Sequence, residues 1–358
     1  MPIKLESLES QISTKGFEWT AGITSLSELS QKEQESFLGL DVTKEELSAT
    51  EEAIRSVEFL QGNFNADAFS APTAIDWRNN GGDYTTPIKD QSSCGSCVSF
   101  ATIGTIEARM NVACKNPALD PNYSEAYLFY CGCGNCCGTG WNFAPALDFC
   151  KNKGVAKEAD FPYTPGNQAC KAGVTPAFKI NSWLSVLSIA DRKNVLATKG
   201  PMVAGMAVYQ DFFSYHSGVY KHTTGNLAGY HAVGVVGYND VQKCWICKNS
   251  WGTGWGDSGW FKIGYGECGM DSQFAFYDVN VTCQVQPTPC ANYVPLLKQV
   301  LVAAQQNPLL RRCLRYHVCH KPSIPPICPA NYMAVVQLVN RILTLCPQYR
   351  KPFCDIIG

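Results

Sequence analysis

Residues 90–100 read DQSSCGSCVSF, with two cysteines three apart where a helix is about to begin. Three chemistries use that spacing: a redox pair, a metal knuckle, or one bonded cysteine beside one nucleophile. A redox pair of this kind sits after a strand in a βαβ unit, but the preceding DYTTPIKDQSS (83–93) is a poor strand. A zinc knuckle needs a matching partner. CGCGNCC (131–137) is one candidate, although such a cluster in an exported domain more often forms bridges. Cys244-Trp-Ile-Cys247 is the other, and in a strand those two side chains point to opposite faces. The third reading makes Cys97 a nucleophile at a helix start, where first-turn N–H groups and the helix dipole lower a thiol's pKa.

A thiol nucleophile needs a base, and the base needs an orienting partner. Of the 5 histidines, His231 heads HAVGVVGY (231–238), a small-residue strand able to hold an imidazole rigidly. Asn249 in KNSWGTGWGDSGW (248–260) can accept from one ring nitrogen, with Trp251 covering that bond from water. Gln91, ahead of Cys97, can donate to a developing oxyanion beside the Cys97 backbone N–H. Each of these is unremarkable alone, since a lone histidine is usually a satisfied core residue; four such coincidences in the right order make a weak alternative.

The chain around this block falls into three segments by charge. Residues 1–70 carry 5 Lys/Arg against 13 Asp/Glu, residues 71–289 carry 16 of each, and residues 290–358 carry 8 Lys/Arg against Asp355 alone. The expected organisation is therefore an acidic helical segment with its linker (1–70), a central domain (71–285) and a basic, cysteine-rich, mostly helical module (286–358). In the acidic segment SLSELSQKEQESFLGL (25–40) and TKEELSATEEAIRSVEFL (43–60) read as helices, started by Ser27 or Ser30 and by the capping box Thr43-x-x-Glu46. QGNFNADAFSAPTAIDW (61–77) and QVQPTPC (284–290) read as linkers.

In the centre, GSCVSFATIGTIEARMNVAC (95–114) reads as a helix. GPMVAGMAVY, YHAVGVVGY, CWICKNSW and GWFKIGYG read as strands, giving a helix-first, strand-later α+β order. In the tail, Val294, Leu297, Leu301 and Ala304 make one apolar stripe and Met333, Val336, Val339 and Leu343 a second.

With 19 cysteines the chain suits an oxidising compartment, and the odd total allows nine bridges and one working thiol, although some could simply be buried. Asn122 and Asn280 head glycosylation sequons. No run is long and apolar enough for a transmembrane helix, no apolar leader opens the sequence, and no internal repeat is present.

The blocks AIDWR (74–78), DQSSCGSC, GYHAVGVVGY and KNSWGTGWGDSGWFKI, with His231 and Asn249 spaced as they are from Cys97, resemble those of papain-like cysteine peptidases over about residues 71–280. The resemblance implies a two-lobed α+β fold, a helical lobe packed on an antiparallel β-barrel-like lobe with the site in the cleft. It makes Cys97 the nucleophile, His231 base and acid, Asn249 orienter and Gln91 oxyanion donor. It places Trp141, Gly140, Gly205, Trp251 and Ser272 or Gln273 along the substrate cleft, with a roomy apolar pocket. It pairs Cys94 with Cys137 and Cys131 with Cys170, leaving the partners of Cys114, Cys133, Cys136 and Cys150 open.

The resemblance further implies an endopeptidase made as a zymogen, acting on peptides or proteins and not on nucleic acid, with no metal or cofactor. The acidic segment would be its intramolecular inhibitor, and the setting secreted or lysosome-like. Departures are Val98 where Trp or Tyr is usual, Thr139 where glycine is usual, and Tyr230 before the histidine. These keep open a non-catalytic binding protein on the same fold, and the Cys94–Cys97 pair keeps open a thiol–disulfide oxidoreductase. The basic tail lies outside the resemblance; its charge suggests contact with anionic surfaces or glycans, or else a stabilising cap.

Overall fold

The computed structural model describes residues 3–63, 71–283, 293–320 and 326–357. Residues 64–70 of the first expected linker and all of the second, with Cys290, lie outside them. The chain divides into two compact units, Met1–Gln284 and Val285–Gly358.

In the first unit the acidic segment forms helix α1 (Leu5–Thr14), strand β1 (Trp19–Ala21), helix α2 (Gln31–Glu35) and helix α3 (Lys44–Asn63). The capping boxes form as the sequence indicates. Ser30 and Glu33 exchange bonds at the start of α2, and Thr43 with Glu46 does the same before α3. The helix expected over 25–40 is only one turn long. Beyond it a turn closes with Phe37 N on Gln34 O and Leu38 N on Glu35 O, and from Gly39 to Asp41 the backbone bonds go to the neighbouring lobes instead. Strand β1 has no counterpart in the sequence reading.

Strand β2 (Ala74–Asp76) opens the central region, followed by the helical lobe: α4 (Cys97–Ala113), α5 (Glu125–Gly132) and α6 (Phe143–Asn152). Ser124 caps α5 through a bond from Tyr127 N. Helix α4 is buried on every side from Cys97 to Asn111, not along a single stripe. Its apolar residues Val98, Ile103, Ile106 and Met110 pack against Leu128, Phe143 and Leu147. Its charged ones are paired: Glu107 accepts from Thr86 Oγ1 (2.6 Å) and Tyr123 N (2.8 Å), and Arg109 donates to Asp278 (2.6 Å). Val98 has no exposed surface and is part of this core.

The second lobe carries β3 (Ser182–Val186), α7 (Ile189–Thr198), β4 (Met202–Tyr209), β5 (Tyr215–Tyr220), β6 (Leu227–Asn239), β7 (Cys244–Lys248), β8 (Trp260–Gly264) and β9 (Phe276–Asn280). The sheet runs β1-β5-β8-β7-β6-β4-β9-β3, with β2 also paired to β6. Its pairs are antiparallel except β5 with β8, so the sheet is mixed. The register sets Gly205 of β4 opposite Ala232 of β6, and Met206 opposite His231. An aromatic core of Phe212, Phe213, Tyr215, Tyr220, Trp251, Trp255 and Phe261 fills one side.

Bridges join Cys94–Cys137, Cys131–Cys170, Cys114–Cys283 and Cys133–Cys136. The single-thiol arithmetic fails: Cys97, Cys150, Cys244, Cys247 and Cys268 are all free and buried. Four of them simply act as small apolar residues in the packed lobes.

The second unit is helical: α8 (Val294–Gln306), α9 (Pro308–His317), α10 (Ala330–Leu345) and α11 (Arg350–Ile357). Leu297, Val300 and Ala304 meet Val336, Val339, Ile342 and Leu343 in its core, close to the predicted stripes. Cys313–Cys328 and Cys319–Cys354 staple it, and Cys346 is also disulfide-bonded.

Candidate active site

Cys97 is the first residue of α4, and His231 lies in the middle of β6. The lobes meet there, since α4 packs along β6. The loop before α4 is fixed from three directions. Cys94 is bonded to Cys137, Gly95 N donates to Cys137 O (2.9 Å), and Ser96 Oγ shares a 2.9 Å bond with Tyr163 OH. Cys94 is therefore not a partner for Cys97, which removes the redox-pair reading of CGSC.

His231 has no exposed surface; its Nε2 lies 2.8 Å from Asn249 Oδ1. An amide oxygen only accepts, so Nε2 carries the proton and Nδ1 is left as the basic nitrogen. Nδ1 is buried and has no hydrogen-bond partner among the described residues. Asn249 Oδ1 also accepts from Ser250 N (2.8 Å), which fixes the amide's orientation. Trp251 lies beneath the imidazole, ring centroids 4.7 Å apart, and is itself stacked on Phe213. It is a buried cover for the His–Asn bond and not an exposed wall of the cleft. Gln91 is fully buried, its Oε1 accepting from Ser250 Oγ (2.6 Å) and its Nε2 donating to Cys94 O (2.8 Å).

The acidic segment occupies the cleft. Gln91 Nε2 also donates to Phe37 O (3.0 Å), so a carbonyl of the segment sits on the expected oxyanion donor. Trp141 N donates to Gly39 O (2.8 Å), Asp41 N to Trp141 O (2.9 Å) and Leu40 N to Tyr230 O (3.2 Å). The pairing of Leu40 with Trp141 is parallel. A side chain on Gly39 would overlap the Gly95 carbonyl, and one on Gly140 would overlap Gly39, so glycines let the two backbones touch. Leu40 points at Gly205, where an added Cβ would lie 2.7 Å from Leu40 Cδ2 and 2.6 Å from Phe274 Cδ1. Ser272 is exposed and does not line this pocket; Phe274, which the sequence reading passes over, does. Thr139 is exposed beside the wall that Gly140 and Trp141 form.

Under this cover the electrostatics depart from the sequence expectation. Burial pushes the Cys97 thiol up to about 12, outweighing backbone contacts from Ala232, Gly39 and Val98 that favour the thiolate. Burial likewise lowers His231 to about 4, against the bond to Asn249. In this state both groups are neutral.

Residues 71–277 match the family described as papain family cysteine protease. The chain is 35% identical over 211 residues to cysteine proteinase 2 of Entamoeba histolytica, covering 54% of this chain and 64% of that protein. It is 34% identical over 239 residues to a cathepsin L-like proteinase of Fasciola hepatica, covering 62% and 71%. The match thus spans less than two thirds of some of these relatives. The fold is similar to that of procathepsin B S9 from Trypanosoma congolense (TM-score 0.63, 24% identity), over 79% of this chain and 100% of that one. The match over more than half of the chain shows that it belongs to the papain family of cysteine proteases.

Proposed function

We propose that this protein is a cysteine endopeptidase made as a zymogen, with Cys97 the nucleophile, His231 base and acid, Asn249 its orienter and Gln91 the oxyanion donor. The observation that carries the reading is the occupied cleft. Phe37–Asp41 takes the Gln91 amide and both backbone bonds of Trp141, beside a histidine held at 2.8 Å from Asn249. Once residues 1–70 are removed, the site is open to solvent and a Cys97 thiolate–His231 imidazolium pair forms. The thiolate attacks a peptide carbonyl while Gln91 Nε2 and Cys97 N hold the oxyanion. His231 gives its proton to the leaving amine, then takes one from the water that releases the acyl group.

The pocket holding Leu40, between Gly205 and Phe274, favours a substrate side chain of leucine size. The disulfides suit a secreted or lysosome-like compartment. The C-terminal unit, with Arg311, Arg312, Arg341 and Lys351 exposed, suits contact with an anionic surface or glycan. Salt-dependent binding that disappears on deletion of 287–358 supports that contact; binding unchanged by the deletion refutes it. The test of the main reading is Cys97→Ala. Peptidase activity is lost while the thermal transition is kept; turnover retained in a verified variant overturns the assignment.

A further inference from the structure

The C-x-x-C disulfide of this chain is not at CGSC but at Cys133–Cys136, in the turn that leads into the cleft wall. Cys133 caps the C-terminus of α5, its N–H donating to Phe129 O (2.8 Å), and the Gly134-Asn135 tip between the two sulfurs includes the exposed Asn135. Both cysteines are half-buried, within reach of a small thiol. The carbonyl of Cys136 accepts from Thr139 N (3.2 Å) and Gly140 N (2.7 Å), and the Cys133 sulfur lies 3.7 Å from Gly140 O. The bridge therefore shapes the turn that presents Gly140 and Trp141, the residues whose backbone holds whatever chain lies in the cleft. Cys137, next to it, is tied separately to Cys94, so opening the smaller loop leaves the nucleophile's anchor in place.

We propose that Cys133–Cys136 is a thiol–disulfide exchange site whose opening loosens the Gly140–Trp141 wall and weakens peptide binding. A thiolate of a dithiol reductant attacks one sulfur of the bridge and expels the other as a thiolate, which takes up a proton. The reductant's second thiol then closes on the mixed disulfide, leaving as a cyclic disulfide, while Cys133 and Cys136 end as two thiols: two electrons and two protons gained by the protein, two lost by the reductant. In reverse, a protein thiolate attacks the oxidised dithiol, and because both sulfurs lie in one turn the second step is intramolecular, so the bridge reforms when the oxidised dithiol is in excess.

The kinetic consequence rests on the peptidase reading; the structural one does not. The experiment poises the chain lacking its acidic segment at graded ratios of reduced to oxidised dithiothreitol. Alkylation and peptide mapping report each bridge, and KM and kcat are measured on one peptide. The Cys131–Cys170 bridge, whose Cys170 is exposed, is followed in the same map. The expected result is a rise in KM of about fivefold as Cys133–Cys136 opens, with kcat little changed, from loosening of the two wall hydrogen bonds. The Cys133→Ala/Cys136→Ala variant shows the raised KM at every ratio. A KM that stays flat while mapping shows the bridge open, or one that tracks Cys131–Cys170, overturns the proposal. Should the chain prove to have no peptidase activity, amide hydrogen exchange at Gly140 and Trp141 in the full chain decides the matter. Faster exchange on opening supports the proposal, and unchanged exchange refutes it.

Discussion

Gly39→Ala isolates the contact that keeps the cleft closed. The new methyl would overlap the Gly95 carbonyl, and Gly95 cannot yield, because its N–H is bonded to Cys137 O (2.9 Å) beside the Cys94–Cys137 bridge. Residues 37–41 must therefore lift. Lifting breaks the bonds from Gln91 to Phe37, Trp141 to Gly39, Leu40 to Tyr230 and Asp41 to Trp141, and it withdraws Leu40 from its pocket. Hydrogen bonds contribute about 0.5–1.5 kcal/mol each and the leucine about 1.5–3 kcal/mol. Losing roughly half of that total is about 3 kcal/mol, or on the order of 100-fold in the open population. Strand β1 and α1 stay docked through Trp19, whose Nε1 donates to Thr223 Oγ1 (3.3 Å), so the segment opens locally without dissociating. The assay is initial-rate hydrolysis of a small peptide by the full-length chain, with mass spectrometry showing that no cleavage has occurred. The uncleaved variant should be about 100-fold more active than the uncleaved wild type. Equal latency in the two, with both folded, would refute the argument that backbone contact at Gly39 closes the site.

Three other substitutions probe single contacts. Asn249→Ala removes the 2.8 Å partner of His231 and should lower kcat by about tenfold or more with little change in KM, read by steady-state kinetics. Phe274→Ala deepens the pocket beside Gly205 and should shift kcat/KM toward an aromatic side chain over leucine by about tenfold, measured with paired peptides. Asp278→Ala strands Arg109, buried in α4 and bonded to Asp278 at 2.6 Å, and should cost about 3–5 kcal/mol in denaturant unfolding, since a buried charge is left unpaired.

The candidate site residues were legible because they rest on local signals: a cysteine at a helix start, a histidine in a small-residue strand, an asparagine in a glycine-rich block. The strands β4, β6, β7 and β8 were legible for the same reason, as short β-branched or aromatic runs between glycines. What was hidden depends on distant partners. Nothing in SLSELSQKEQESFLGL announces that the helix stops and Gly39–Asp41 leaves it, because hydrogen bonds of Phe37 O, Gly39, Leu40 and Asp41 go to Gln91, Trp141 and Tyr230, far along the chain. Strand β1 exists only because β5 offers it an edge. Helix α4 carries polar residues on all sides because Thr86, Lys89, Asp278 and Tyr84 meet them, which periodicity cannot show. The expected depression of the Cys97 thiol is reversed by burial under the segment, a tertiary effect stronger than the helix start. Ser272 and Phe274 are two residues apart after a turn at Gly269, and only the turn's geometry decides which one faces Leu40.

The central claim, that Cys97 is a nucleophile held neutral by the segment lying over it, is tested most directly by the pH dependence of its alkylation. With the thiol raised to about 12, only about 1 in 10⁵ is thiolate at pH 7 in the intact chain. Its alkylation rate, followed by mass spectrometry at Cys97, should keep rising with pH toward that value. After removal of residues 1–70 the same thiol should react at neutral pH at least 1000-fold faster, on the order expected for a restored thiolate–imidazolium pair, and lose reactivity only in acid. Equal rates at pH 7 before and after removal would contradict the account.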